Sequence, residues 1–210
     1  MKTCKYIIGI DEAGRGPLAG PVSVGVALIP VDFDWKLLPG VGDSKKLSPK
    51  KRLVIFELTQ KLKQEGRLDY SVSLVSAKRI DTFGIVPSVN QALLESLEVV
   101  MLRNQLAKDE NVAVKLDGGL KAPASYLYQE TIIKGDDKEL IIGLASIMAK
   151  VTRDNYMEKI AKKADFSSYS FEIHKGYGTK MHLEAIKENG LSSEHRTSFC
   201  RNYSSKTVAR

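Results

Sequence analysis

The spacing of apolar residues along the chain predicts strands in the first half, with helices between and after them. Residues 22–29 are rich in valine, and residues 70–75 alternate polar and apolar side chains with the period of two that is typical of a half-buried strand. Residues 6–11 form a third apolar run. A fourth strand is predicted over 111–116, and 131–133 is a candidate fifth strand.

Four other segments carry apolar residues at helical spacing. The first has both ends marked, since Ser48 is a natural N-cap, Pro49 fits the first helical position and Gly66 fits the position just past the last turn. The other three helices are predicted over 87–108, over 140–163, and from a cap at Thr179 to a stop at Gly190. Strands separated by helices indicate an α/β protein.

The chain length fits one domain. Its 210 residues, 43% of them hydrophobic, can bury a sizeable core. The apolar stretch 21–31 is shorter than the roughly 20 residues of a membrane helix, and the start lacks the features of a secretory signal. Cys4 and Cys200 have no metal-like spacing and are expected to be thiols in a reducing compartment. We therefore expect a cytoplasmic protein.

Basic residues exceed acidic ones by 32 to 25, a net charge of +7. One cluster at 45–52 holds five basic residues and no acid, and 196–210 holds four and no acid. Such clusters are typical of nucleic-acid binding, although a charged run can also be a solvated face.

Two adjacent acids, Asp11 and Glu12, end the first apolar run and are followed by Gly14, Arg15 and Gly16. Successive side chains of a strand point to opposite faces, so the two acids could share one ion only if the chain turns at this point. We therefore predict a turn there, for which Gly14 and Gly16 supply the conformational freedom. The alternative is an acidic strand end that enters a glycine turn.

Two further acids fall at comparable places. Asp117 ends the fourth predicted strand before two glycines, and Asp154 continues the apolar stripe of the 140–163 helix. A carboxylate on a core-facing stripe needs a partner, a proton or a metal, and an ion pair with Lys150 is one alternative. If the four acids converge, hard divalent cations would relieve their repulsion and could serve phosphoryl transfer.

Six segments follow one another along the chain: 11–22 (DEAGRGPLAGPV), 43–48 (DSKKLS), 116–118 (LDG), 145–154 (ASIMAKVTRD), 174–179 (HKGYGT) and 195–199 (HRTSF). In this order they resemble ribonuclease HII, the type 2 ribonuclease H family. The resemblance implies a ribonuclease H-like fold, in which a mixed five-stranded sheet is flanked by helices and a small helical part follows at the C-terminus, within a catalytic domain over 1–201. Residues 202–210 offer little apolar surface to bury, so we expect them to form a mobile tail.

The resemblance also implies the chemistry. The metal-binding and catalytic acids would be Asp11, Glu12, Asp117 and Asp154. They would hold two ions of the family's cofactor, Mg²⁺ or Mn²⁺. The enzyme would hydrolyse the RNA strand of RNA–DNA hybrids and nick 5′ to single ribonucleotides in duplex DNA, leaving 3′-hydroxyl and 5′-phosphate ends. Such an activity serves ribonucleotide excision repair and DNA replication.

Substrate contacts follow from the same resemblance. The backbone of Gly14, Arg15 and Gly16 would contact the ribose 2′-OH, and Tyr177 would pack on the neighbouring deoxyribose. Ser44 and Lys45 match phosphate contacts of the family. The remaining motif residues are expected to brace loops or to orient the acids: His174, His195, Arg196, Lys150 and Arg153.

Three alternative interpretations fit the sequence less well. The glycines after Glu12 fail the spacing of a dinucleotide fingerprint, because Gly20 comes one residue late. A non-catalytic nucleic-acid binder fits the charge but leaves the acids unexplained. Ribonuclease HIII typically carries an extra N-terminal domain, whereas ten residues precede Asp11 here. We find no motif for docking a sliding clamp and expect a monomer without membrane contact.

Overall fold

The computed structural model describes residues 4–42, 46–107 and 112–203. Its centre is the predicted mixed five-stranded sheet, which is confirmed, in the order β3-β2-β1-β4-β5. Strands β1, β2 and β3 form an antiparallel meander, and β4 and β5 run parallel to β1. The strands are β1 (Tyr6–Ala13), β2 (Val22–Pro30), β3 (Asp69–Val75), β4 (Val112–Asp117) and β5 (Gln129–Ile132).

The helices agree with the predicted segments, with shifts at their ends. The side chain of Ser48 accepts a hydrogen bond from the Lys51 amide, and that of Thr179 accepts one from His182, so both predicted caps are confirmed. Short 3₁₀ helices cover Trp35–Leu37 and Ala164–Tyr169. The α-helices are α1 (Pro49–Gln64), α2 (Ala77–Phe83), α3 (Ile85–Arg103), α4 (Gly135–Lys138), α5 (Leu140–Ala161), α6 (Phe171–His174) and α7 (Lys180–Asn189).

The helix predicted over 87–108 is wrong at both ends. It begins at Ile85 and ends at Arg103. The next residue, Asn104, folds back over the last turn, and its side-chain amide donates to the Val100 carbonyl and to Asp69. Helix α2 was not predicted, because its seven residues are too few to show a periodic stripe. Its N-cap, Ser76, accepts a hydrogen bond from the Arg79 amide.

Helix α3 has the length and the mean hydropathy, 1.3, of a helix that could cross a membrane. In the structure, however, its apolar stripe packs against the sheet. Val89, Leu93 and Leu97 are buried with residues of β1, β2 and β4. Helix α3 is therefore a core helix, and its apolar composition reflects the burial of one face against the sheet.

Helix α5 lies across the other face of the sheet at unusually close range. Side chains added at Gly9 of β1 and Gly25 of β2 would collide with the backbone carbonyls of Ile141 and Ala145. Only glycine lets the helix backbone come this near to the strands. This close approach brings Ser146 of α5 to Asp11, near the C-terminal end of β1.

Candidate functional site

Asp11 lies on the face of β1 that is covered by α5. Its side chain is only 4% exposed. It is hydrogen-bonded to the Ser146 side chain of α5, and its Oδ1 accepts the Glu12 backbone N–H at 2.7 Å. Burial raises the pKa of Asp11 well above its usual value, and the charges of Glu12 and Asp117 raise it further. Asp11 is therefore a buried carboxyl group with two acids as neighbours.

Asp117 reaches the same place from the neighbouring strand. Because β4 is parallel to β1 and Leu116 is paired with Ile10, the next residues, Asp117 and Asp11, lie side by side and point to the same face. Asp117 Oδ1 accepts the backbone N–H of Gly135, the first residue of α4, at 2.6 Å. A side chain at Gly135 would press on the end of the Ile142 side chain of α5, so α4 packs closely against α5 at this point.

The chain turns at one of the two glycines that were expected to allow it, but the turn comes after Asp11 and Glu12 and does not include them. Strand β1 continues in regular antiparallel pairing with β2 through Ala13, and Ser23 Oγ donates to the Ala13 carbonyl at 3.1 Å. The ladder holds the two acids in extended backbone, so their side chains leave the strand on opposite faces. Glu12 then forms an ion pair with Arg15 at 3.1 Å. The chain turns at Gly14 instead, where φ is +85°.

Asp154 lies on α5, eight residues after Ser146. Its Oδ1 is 2.7 Å from Lys150 Nζ, so the ion pair considered as an alternative in the sequence is present. The carboxylate also lines a groove of about 630 Å³ between α1, α5 and α6. The structure thus places Asp11 and Asp117 side by side on one face of the sheet. Glu12 points to the opposite face and pairs with Arg15, while Asp154 is held by Lys150.

As the side chains lie, no three His, Cys, Asp or Glu residues in the described ranges form a group that could hold a metal ion. The donor chemistry nevertheless fits a hard divalent cation, because all four candidate groups are carboxylates. Burial and the neighbouring acids disfavour the charged form of Asp11, and a cation bound beside it would offset this cost. The metal-binding role of the four acids remains a prediction.

The loop that follows β1 is shaped by buried arginines. A side chain at Gly14 would collide with the Arg153 side chain, so Arg153 packs directly beneath the turn. Arg196 donates from Nη2 to the Gly14 carbonyl at 2.7 Å and from Nη1 to the Arg15 carbonyl at 3.1 Å. Arg15 is 47% exposed, and Gly16 has open space where a side chain would lie. The loop is supported from inside and open outside.

Tyr177 borders the groove. It is 42% exposed and follows Gly176, whose φ is +82°. The centre of its ring lies 5.6 Å from Lys150 Nζ and 5.7 Å from Arg153 Cζ. The ring is therefore available to a ligand, next to the α5 residues that flank Asp154. Ser44 and Lys45, the predicted phosphate contacts, lie outside the described residues.

Comparison with known proteins decides the family. A family model described as Ribonuclease HII matches residues 8–202. The chain belongs to the ribonuclease HII family. The Ribonuclease HII of Endomicrobium trichonymphae is 42% identical over 193 residues, which cover 92% of this chain and 84% of that protein. As a member of the family, the chain is a metal-dependent endonuclease of the ribonuclease H class.

Solved structures agree with this ribonuclease HII assignment. The structure of the PCNA:RNase HII complex from Archaeoglobus fulgidus has a TM-score of 0.71 and 27% identity, covering 96% of this chain and 98% of that one. A crystal structure of Bst-RNase HIII in complex with Mn²⁺ also has a TM-score of 0.71, at 17% identity, and covers 98% of this chain and 72% of that one. The second likeness concerns the fold alone.

Three buried histidines support the Tyr177 side of this ribonuclease HII site. The Ser192 N–H donates to His195 Nδ1 at 2.9 Å, so His195 carries its proton on Nε2. That nitrogen donates to His182 Nε2 at 3.0 Å, and His182 Nδ1 donates to the Tyr177 carbonyl at 2.9 Å. His174 accepts the Gly176 N–H at 3.2 Å. These contacts agree with the interpretation that the histidines brace loops.

The same burial sets the charge of the histidines. Burial lowers the pKa of His182 to about 4 and, with the nearby His182, lowers that of His195 to about 4. Both are neutral at pH 7, as the hydrogen-bond chain requires. Sequence reasoning missed His182. Its position on the inner face of α7, eight residues after His174, was the available signal.

Sequence reasoning also missed Asp81 of α2. Its carboxylate accepts the backbone N–H groups of Thr197 and Ser198 at 2.7 and 2.9 Å, and the hydroxyls of both residues. These hydrogen bonds lower the pKa of Asp81 even though partial burial opposes them. Asp81 therefore fixes the segment that carries Arg196. No motif in the sequence marks it, because it acts through a contact between distant segments.

Proposed function

We propose that this ribonuclease HII hydrolyses the RNA strand of RNA–DNA hybrids and also nicks 5′ to single ribonucleotides embedded in duplex DNA, leaving 3′-hydroxyl and 5′-phosphate ends. The observation that carries the proposal is the buried Asp11 carboxyl group beside Glu12 and Asp117 at the ends of β1 and β4. A cluster of this kind suits metal-assisted hydrolysis of a phosphodiester.

We assign Asp11, Glu12, Asp117 and Asp154 as the residues that hold the metal. Bound there, two Mg²⁺ or Mn²⁺ ions would supply an activated water and would stabilise the departing 3′ oxygen. The chain's own residues prepare the site: Ser146 orients the Asp11 carboxyl group, and the Gly135 N–H orients that of Asp117. Lys150 and Arg15 lie beside Asp154 and Glu12 and supply positive charge next to these acids.

The substrate duplex is proposed to lie along the groove beside α1 and α5. Cationic side chains of the groove would contact phosphates, and the open Gly14–Arg15–Gly16 loop would contact the ribose 2′-OH. The exposed ring of Tyr177 would pack on the deoxyribose that follows a single ribonucleotide. Ser44 and Lys45 are included as phosphate contacts. The lining cations of the groove are Lys50, Arg52, Lys150 and Lys175.

The test is a cleavage assay on duplex DNA with one ribonucleotide. With Mg²⁺ we expect a single nick on the 5′ side of the ribonucleotide, and the product should carry a 3′-hydroxyl that a polymerase can extend. The same duplex without the ribonucleotide is the control and should stay intact. EDTA should stop the reaction.

The assay also separates the proposal from a nucleic-acid binder without activity, which would retain hybrid duplex in EDTA and cut nothing in Mg²⁺. Cleavage of long hybrids with no nick at the single ribonucleotide would contradict the finer part of the proposal. Cleavage that persists in EDTA would contradict metal-dependent hydrolysis.

The cellular setting belongs to the proposal as well. We propose a cytoplasmic monomer that takes part in ribonucleotide excision repair and in hybrid removal during DNA replication. The PCNA complex was solved for the Archaeoglobus fulgidus protein. We propose that the activity of the present protein does not depend on a clamp. Sedimentation with and without duplex would test the monomer.

A further inference from the structure

Arg196 is a large side chain with no exposed surface, and its donors all end on one stretch of backbone. Besides the Gly14 and Arg15 carbonyls, its Nε donates to the Gly20 carbonyl at 3.0 Å. No ion pair of Arg196 with a carboxylate is found among the described residues. A buried cation is costly unless polar groups surround it. Here three carbonyl dipoles meet that need, so the loop and Arg196 depend on each other.

The contacts fix the direction of two peptide groups. In a trans peptide, the carbonyl of one residue and the N–H of the next point in opposite directions. The Gly14 and Arg15 carbonyls point inward to Arg196, so the N–H groups of Arg15 and Gly16 must point outward. Neither N–H has an acceptor within the described parts of the chain. Two backbone donors are thus aimed at the open side of the loop.

The segment that carries Arg196 is itself fixed at both ends. The Arg196 N–H donates to the Leu18 carbonyl at 2.8 Å, and the Gly20 N–H donates to the Glu194 carbonyl at 2.8 Å. Asp81 holds the next two residues of the segment. Arg196 therefore has little freedom to move with the loop, and its hydrogen bonds fix the direction of the Gly14 and Arg15 carbonyls.

We propose that Arg196 is a positioning residue that aims the Arg15 and Gly16 amides at the 2′-OH of the substrate ribonucleotide. The inference rests on the proposed function and adds the side chain on which ribonucleotide recognition depends. Arg196 itself does not touch the substrate. Its role is to keep the two outward donors in place before the substrate binds, so that binding does not have to order them.

The decisive variant is Arg196→Lys. Lysine keeps the positive charge but has a single ammonium group, which cannot reproduce the planar fork that reaches three carbonyls. Two quantities are measured in Mg²⁺: KM for duplex DNA with one ribonucleotide, and Ki of the identical all-DNA duplex as a competitor. We expect the ratio of Ki to KM to fall about tenfold, as for a lost or misaligned hydrogen bond. The Ki itself should change less than twofold.

A second variant, Arg196→Ala, offers chemical rescue. Added guanidinium at millimolar concentration should restore part of the Ki-to-KM ratio, because it can occupy the space left by the side chain and donate to the same carbonyls. Ammonium at equal concentration should not. If Arg196→Ala does not fold, the Arg196→Lys comparison decides alone.

The matched control is Arg103→Lys. Arg103 also donates to a backbone carbonyl, that of Tyr70, and it lies beside Asp69 at the far end of β3. This variant should keep the wild-type ratio of Ki to KM. If Arg196→Lys lowers the melting temperature but keeps the wild-type ratio, Arg196 is a structural residue only and the inference is overturned. If the wild-type enzyme does not nick at the single ribonucleotide, the proposed function fails, and the inference fails with it.

Discussion

At the scale of single residues, Asp11 lies in surroundings that disfavour its charged form. It is buried against α5 with two acids nearby, and its pKa is raised as a result. The folded chain therefore binds a proton at this group more readily than the unfolded chain, so the contribution of Asp11 to stability falls as the pH rises above about 4. The charged carboxylate thus lowers the stability of the folded chain, and in the proposed function it serves to bind a cation.

The substitution Asp11→Asn tests this cost. It removes the charge and keeps a side chain that can still hydrogen-bond to Ser146. We expect cleavage to fall below detection and the melting temperature in EDTA at pH 7 to rise or stay equal. Mg²⁺ should raise the melting temperature of the wild type and have a smaller effect on the variant. A variant with near wild-type turnover would contradict the metal-binding role of Asp11.

Tyr177 should matter for one substrate more than for another. Its ring is proposed to pack on a deoxyribose, which follows a single ribonucleotide but is absent inside a long RNA tract. Tyr177→Ala should therefore lower kcat/KM on the single-ribonucleotide duplex on the order of tenfold more than on a long hybrid. Tyr177→Phe keeps the ring and is the matched control. Equal losses on both substrates would argue against a role of Tyr177 in recognising the RNA–DNA junction.

At the scale of elements, the strands and long helices could be predicted from the sequence because each carries its own periodic pattern and caps. The acids could be placed at strand ends for the same reason. The direction of Glu12 could not, because it depends on how far β2 keeps pairing with β1 beyond Asp11. The approach of α5 also depends on contacts between distant segments, although Gly9 and Gly25 were visible in the strands.

The histidine chain connects α7 and the segment around His195 to the Tyr177 loop, and it gives a pH dependence. The folded pKa values of His182 and His195 are about 4, below the ordinary 6.5. Between pH 4 and 6.5 the unfolded chain binds more protons at these histidines than the folded chain does. Their contribution to the free energy of unfolding is therefore fully present above about pH 6.5 and is lost as the pH falls toward 4. The two histidines are hydrogen-bonded to each other, so their contributions to stability are coupled and do not simply add.

Urea unfolding at pH 7.5, 6.0 and 5.0 measures this effect. The wild type should lose stability steadily over the series. His182→Asn removes one titrating group while leaving an amide that can donate to the Tyr177 carbonyl, so its loss over the same range should be smaller. Asp11 changes stability with pH in the opposite direction in both proteins. The test is therefore the difference between the wild type and His182→Asn in how much unfolding free energy each loses, and not the wild-type slope alone. Equal slopes would show that the histidine chain does not control the pH dependence.

At the scale of the whole molecule, the excess of seven positive charges is useful only where it faces the substrate. Helix α1 shows the distinction within one element. Lys50 in its first turn lines the groove beside Asp154 and Tyr177. Lys61, near the other end, is 72% exposed and lies 3.9 Å from Glu65. The basic cluster at 45–52 was visible in the sequence, whereas the fold was needed to show that its helical part meets the groove.

The salt dependence of duplex binding separates these two lysines. A lysine that neutralises a phosphate releases counterions on binding, and its loss reduces the slope of log K against log salt by about 1. Lys50→Gln should therefore weaken binding at low salt and reduce the slope by about that amount, equally for hybrid and all-DNA duplex. Lys61→Gln carries the same change in net charge on the same helix and should leave the slope unchanged. If the two variants behave alike, overall charge rather than the groove attracts the duplex, and the proposed path of the substrate along α1 is wrong.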